Sequence, residues 1–285
     1  MLYTLKNPDM TITIDTHGAE LHSINRGGLE YLWQAGEPWK RHAPILFPFI
    51  CSTGTGSYRA GGAEYRMKSN HGFARDMEFS VDWEKEDGIS MSLESDESTL
   101  AQYPYPFRLT VEYTLLKDGV RVLHRVVNTG ETSMYFYLGG HPAFRCPLLP
   151  EERFEDYVVE YEKPEHVTRD VNGTPETVLD NGTILPVTRE LFDYDSLVLP
   201  QPHSDTVTLR SRHSEHAVTV EFPDAKCITV WSPTADDRAE FVCLEPWTDV
   251  PVYFDDAFPD IEKKPHAVRL VGGESYAYGY VIRVK

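Results

Sequence analysis

The sequence is poor in the features that mark membrane, secreted or metal-stapled proteins. Across its 285 residues no window approaches the ~20 consecutive apolar residues that cross a bilayer. Its start, MLYTLKNPDM, has neither the basic n-region nor the apolar h-region of a secretory signal, so a cytoplasmic protein is expected. Basic residues are scarce: 27 Lys+Arg face 45 Asp+Glu, a formal net charge of −18. Such a surface repels phosphate backbones and anionic lipid, which speaks against nucleic-acid and membrane partners while leaving room for a local basic pocket. The four cysteines, Cys51, Cys146, Cys227 and Cys243, are far apart, with no CxxC pair and no His at zinc-finger spacing. This argues against a disulfide framework or a structural zinc, and for thiols that act as small buried hydrophobes.

Helical periodicity is nearly absent as well, confined to Ser98–Tyr103 and Asp255–Lys263, both interrupted or bounded by proline. Strand signals run along the rest. Met10–Asp15, Met77–Trp83, Ile89–Leu93, Arg108–Leu115, Val120–Val127 and Ala217–Phe222 alternate apolar with polar residues or are rich in β-branched and aromatic ones. Lys117-Asp118-Gly119 between two of them reads as a hairpin turn. Short strands at this spacing predict an all-β fold, a large antiparallel β-sandwich or barrel in a single domain over residues 1–285. The polar stretch Glu160–Arg189, with VNGTPETVLDNGT, reads as a solvated loop or hairpin set within that domain.

Three segments break the pattern with unusual chemistry. Ser69–Asp76 (SNHGFARD) sets His71 and Arg75 four apart beside Gly72, able to aim two polar groups into a cleft; the plainer alternative pairs Arg75 with Asp76 or another carboxylate. Leu138–Phe144 (LGGHPAF) frames His141 between two glycines and a proline, which suits an oriented imidazole as well as a hydrogen-bonded core His. Phe241–Trp247 (FVCLEPW) places Glu245 at the end of an apolar strand beside Pro246 and Trp247. Desolvation there would raise the carboxyl pKa toward the range of general acid–base work, unless the side chain faces solvent.

Taken in order with Ala43–Pro48 (APILFP), the segments HGFARD, GGHPAF and CLEPW resemble the aldose 1-epimerase, or galactose mutarotase-like, family, and within it the bacterial branch labelled lactose-operon-X-like. The resemblance covers most of the chain. It implies a β-supersandwich with a sugar cleft on a concave sheet face, and interconversion of the α and β anomers of an aldose without metal or cofactor. By the same resemblance Glu245 is the base at the anomeric O1, His141 is the acid at the ring oxygen, and His71 and Arg75 bind sugar hydroxyls. Asp195, ahead of an apolar strand, matches a sugar-binding aspartate, in a short match that slips as easily to Asp193.

One departure bears on the substrate. Relatives acting on hexose 6-phosphates carry an Arg after the Phe-Pro motif, whereas this chain has Phe49-Ile50-Cys51-Ser52-Thr53-Gly54. Arg75 alone, or Arg41, Arg59 or Arg66 swung in, would have to meet a phosphate, so the expectation leans to a free hexose. Two other classes stay open: a non-catalytic carbohydrate-binding or sugar-sensing module, and an isomerase or lyase acting on a modified sugar. Oligomeric state is not legible.

Overall fold

The computed structural model describes residues 1–285 with the exception of Ala235 and Asp237. The protein is all-β. A nine-stranded antiparallel sheet contains, among others, Ser80–Lys85, Gly88–Glu94, Phe107–Leu115, Gly119–Asn128 and Ser275–Val284. A six-stranded sheet is built from Leu197–Pro200, Cys227–Trp231, Phe241–Trp247, Gly139–Gly140 and Ile45–Leu46, with Ala143–Arg145 also on Phe241–Trp247. The first four strands, Leu2–Lys6 through Leu29–Glu30, form a separate meander.

The expected strands form, Met10–Asp15 with the bounds expected and the others with one or both ends shifted. Phe107–Leu115 alternates strictly between buried and half-buried positions, as a strand with one core face must. It pairs in hairpin register with Gly119–Asn128, from Leu115↔Val120 to Phe107↔Asn128. The Met77–Trp83 signal begins later, at Ser80, because Ala74–Asp76 forms a turn of 3-10 helix just before it. Ser98–Tyr103 shrinks to one helical turn, Glu97–Leu100, whose first N–H groups are capped by Asp96. Asp255–Lys263 resolves into two 3-10 turns. The polar stretch is a long hairpin of Tyr157–Val171 on Thr174–Pro186, closed by Asn172 and Gly173 with φ of +54° and +86°, the signs a tight two-residue turn requires.

The six-stranded sheet lies against the nine-stranded one, and alternation divides its residues. Val242, Leu244, Ile228 and Val230 join the main core, whereas Ala143, Phe241 and Cys243 pack with Trp33, Trp39 and Trp231 on the other side. Gly140 marks how close the sheets come: a Cβ there would stand 2.4 Å from the Tyr280 hydroxyl on Ser275–Val284. Gly72 marks a second close approach. Its φ is +73°, and a Cβ would sit 2.2 Å from the Phe47 carbonyl oxygen.

Gly27 has a φ of +60° but open space around it, so it isolates the cost of the backbone conformation. Gly27→Ala is expected to cost about 1–2 kcal/mol, the ordinary left-handed penalty. Gly72→Ala adds a backbone clash worth about 1–3 kcal/mol more. Urea unfolding of the two variants checks the order; equal losses would refute the close-approach account.

Candidate active site

The register of the central strand assembles the site. Gly139 pairs with Trp247 and Ala143 with Cys243, so His141, midway between, falls opposite Glu245 on the same face. On the other side Thr229 pairs with Glu245 and Trp231 with Cys243. His141, Glu245, Thr229, Trp231 and Trp247 thus share the sheet face that Gly140 and Leu244 do not, and they line a cavity of about 330 Å³. The other lining groups come from loops: Trp39, Arg41, Cys51, Asn70, His71, Arg75, Asp195 and Ser196.

All five residues singled out from the sequence line this one cavity. Asp195 lines it and Asp193 does not; Asp195 is held at a φ of +85°, a conformation unusual for a residue with a side chain. Ser52 is not part of the lining either. Of the three arginines named as substitutes for the missing one, Arg41 lines the cavity, while Arg59 and Arg66 do not.

The two carboxylate- and imidazole-bearing side chains meet directly. His141 Nε2 lies 3.3 Å from Glu245 Oε2, with side chains 7% and 2% exposed. Burial pushes the Glu245 carboxyl well above the usual range, and the negative charge of Asp195 pushes it further. Burial, with Arg75 as a smaller cause, pushes His141 down to about 3. Each group therefore favours its neutral form at this buried position. The ring of His141 stacks on Trp39 at 5.0 Å between centroids and meets Trp231 edge-on at 5.6 Å, which fixes its plane.

His71 is anchored by a reciprocal pair of bonds: its Nδ1 accepts from the Cys51 N–H at 3.0 Å, and its own N–H donates to the Cys51 carbonyl at 3.0 Å. Because Nδ1 accepts, the neutral ring carries its proton on Nε2 and is a hydrogen-bond donor there. Burial and the neighbouring His141 hold its pKa well below the usual value, so it stays neutral. The Phe73 and Ala74 N–H groups both donate to the Phe47 carbonyl at 3.0 and 3.2 Å, tying HGFARD to APILFP.

Arg75 does not pair with Asp76. Arg41 takes that carboxylate at 2.5 Å and also donates to the Arg75 carbonyl at 3.2 Å. Among the described residues no carboxylate lies within ion-pair distance of Arg75, its Nε is buried without a partner, and burial lowers its pKa to about 10. Among the described residues two donor clusters have the spacing a metal ion needs: His141 and Glu245 of the cavity lining with the buried Cys243, and Glu20, His22 and His42 elsewhere. All four cysteines are free thiols, and burial raises the Cys51, Cys146, Cys227 and Cys243 pKa values, so none is primed as a nucleophile.

Sequence reasoning missed Trp39, Trp231, Asn70 and Thr229. The first two carry no spacing signal, because their contact with His141 joins segments about a hundred residues apart. Asn70 stands beside His71 and was within reach of that motif.

A two-sheet β-sandwich carrying a buried carboxyl–imidazole pair at the floor of a polar, tryptophan-walled cleft is the architecture of a mutarotase-type protein, and the comparisons agree. The aldose 1-epimerase family model matches residues 1–283, so the chain belongs to the aldose 1-epimerase family. It is 34% identical to the plasmid-encoded protein LacX of Lactococcus lactis subsp. lactis over 306 aligned positions, covering 100% of this chain and 99% of that one. Among solved structures, a galactose mutarotase related enzyme of Lactobacillus acidophilus superposes with a TM-score of 0.92 at 30% identity, covering 100% of this chain and 97% of its own. A galactose mutarotase-like protein of Lactobacillus casei ATCC 334 gives a TM-score of 0.89 at 31% identity, with both chains covered fully. Among the described residues no helix is long and apolar enough to cross a membrane.

The raised pKa of Glu245 has a thermodynamic consequence. A carboxyl whose folded pKa exceeds its unfolded one is stabilising below the unfolded value and loses that contribution as pH rises through the folded value. Glu245→Gln is therefore expected to raise stability at pH 8 by on the order of 1–2 kcal/mol, with the gain vanishing toward pH 4. Thermal unfolding of both proteins across pH checks this; a gain that grows as pH falls would refute it.

Proposed function

We infer that the protein is an aldose 1-epimerase that opens and recloses the ring of a free hexose, with Glu245 and His141 as its acid–base pair. The observation that carries this reading is the direct approach of two buried, oppositely perturbed groups at the cavity floor. Mutarotation is a pair of proton transfers: one from the anomeric O1 hydroxyl to a base, one from an acid to the ring oxygen O5, followed by rotation about C1–C2 and closure on the other face. Carboxylate Glu245 takes the first proton and imidazolium His141 gives the second.

This pair needs one proton in total. Before ring opening it is carboxylate plus imidazolium, and afterwards it is carboxyl plus neutral imidazole, the state that burial favours. Product-side stabilisation of this kind offsets the cost of making an aldehyde, and the raised carboxyl is basic enough to accept from a hydroxyl. His71, through Nε2–H, and Arg75, through its unpaired guanidinium, donate to sugar oxygens where charge develops. Asp195 accepts from hydroxyls on the opposite wall. The two transfers ask nothing of a metal or a cofactor, and the whole chain works as one domain.

A folded Glu245→Gln or His141→Asn variant is expected to lose about 10²- to 10⁴-fold in kcat, the usual worth of a positioned proton-transfer group, with a smaller effect on KM. Polarimetry of freshly dissolved α-glucose and α-galactose measures it. Near-normal turnover by folded Glu245→Gln would exclude the assignment, and sugar binding without any turnover in the unaltered protein would favour a sensing module.

The cavity holds two guanidinium groups, but Arg41 is already neutralised by Asp76. A hexose 6-phosphate brings nearly two negative charges to a protein of net charge −18, with Arg75 alone unpaired to meet them. Free hexose is expected to show the higher kcat/KM, and Asp76→Asn, which releases Arg41, to narrow the difference. Anomerisation rates for both sugars at matched ionic strength decide it; preference for the phosphate in the unaltered protein would show that Arg41 and Arg75 act together as a clamp.

A further inference from the structure

A second cavity, of about 680 Å³, adjoins the first and shares Asp195 and Ser196 with it as a common wall. One side is the tip of the long hairpin, with Thr168, Arg169, Asp170 and Asn172; the other is Tyr253 and Phe254 on the 3-10 turn Val252–Asp255. Its aromatic lining is exposed. Tyr194, Tyr253 and Phe254 are three of the eight large apolar side chains left exposed among the described residues, at 44%, 41% and 51%. Exposed aromatics gathered at the mouth of a site point to a ligand, because solvated rings are otherwise a cost without a return.

The chamber is built rather than incidental. Arg169 lies 5.4 Å from the centroid of the Tyr194 ring, while its Nε donates to Glu176 at 3.0 Å and its Nη1 to the Glu190 carbonyl at 2.6 Å. Tyr253 and Phe254 stand 5.2 Å apart with their planes tilted by 45°. Asp170, Asn172 and Thr168 supply acceptors and donors on the facing side. Flat apolar faces opposed by hydroxyl, amide and carboxylate groups match a pyranose ring, which has an apolar C–H face and a rim of hydroxyls.

Resting on the reading of the first cavity as a mutarotase site for unphosphorylated hexose, we propose that this chamber is a second sugar subsite, and that a disaccharide with such a hexose at its reducing end is a better substrate than the hexose alone. Catalysis requires C1 of the reducing ring at Glu245 and His141. In this arrangement the far side of that ring, around O4 or O6, projects past Asp195, and the non-reducing residue is carried into the chamber and lies against Phe254 and Tyr194. Asp195, at the shared wall and held at a φ of +85°, sits where it can accept hydroxyl protons from either ring.

The test compares glucose and galactose with cellobiose, maltose and lactose, each added as one anomer, in the unaltered protein and in a Tyr194→Ala/Phe254→Ala double variant. Neither substituted side chain lines the first cavity. Polarimetry gives kcat/KM, and titration calorimetry on the same sugars gives affinity independently of turnover. At least one disaccharide is expected to exceed its component hexoses by about tenfold in both measures, the scale of a well-stacked ring contact. The double variant removes that advantage and leaves hexose turnover unchanged, and Phe254→Trp with Tyr194 intact preserves it. No disaccharide advantage in the unaltered protein, or one that survives the double substitution, would overturn the subsite. Absence of turnover with every sugar would instead overturn the mutarotase reading, and the calorimetric ratio would still decide whether the chamber holds a second ring.

Discussion

The antiparallel register of Phe241–Trp247 against the Gly139–Arg145 segment is the constraint on which the site depends. It sets His141 across from Glu245 and turns both away from the sheet-to-sheet core. A one-residue slip of Phe241–Trp247 would turn Glu245 into the sheet-to-sheet core and Leu244 out to the cleft, which the core does not tolerate. Core packing therefore holds the site's geometry. Gly140 lets the sheets close on one face, and the stack of Trp39 and Trp231 holds the imidazole on the other.

Desolvation then does the electrostatic work. A carboxyl and an imidazole in water carry opposite charges between their ordinary pKa values, in mildly acidic solution; in this cleft burial pushes both toward neutrality. The loops complete the arrangement at a distance from the sheet. His71 is held by Cys51, HGFARD by Phe47, and Asp76 by Arg41, so that Arg75 is left with its guanidinium uncommitted. A half-buried cation without a carboxylate partner is costly unless a ligand's oxygens share it, and its presence fits a site that binds polyols.

Much of the fold is legible in the chain because alternation reports directly on which face of a strand is buried. Phe107–Leu115 and the hairpin at Lys117–Gly119 show this plainly. The boundaries that moved did so where a local interaction overrode propensity: the turn at Ala74–Asp76 delays the next strand, and the Asp96 cap begins a helix that proline prevents from continuing. The Tyr157–Pro186 hairpin was ambiguous because a two-residue Asn-Gly turn and a solvated loop share one composition, and only strand pairing separates them.

For the site, the sequence alone determined which residue types are exceptional: a His framed by glycines and proline, a Glu inside an apolar strand, an Arg and a His beside a Gly. Tertiary structure decided their company. It placed Asp195 and not Asp193 on the cavity wall, gave Asp76 to Arg41 rather than Arg75, brought Trp39 and Trp231 onto His141, and left Ser52 off that wall. These are contacts between segments tens to hundreds of residues apart. No local period encodes them, because they follow from how sheets pack and where loops are tied, and that is settled only when the whole core forms.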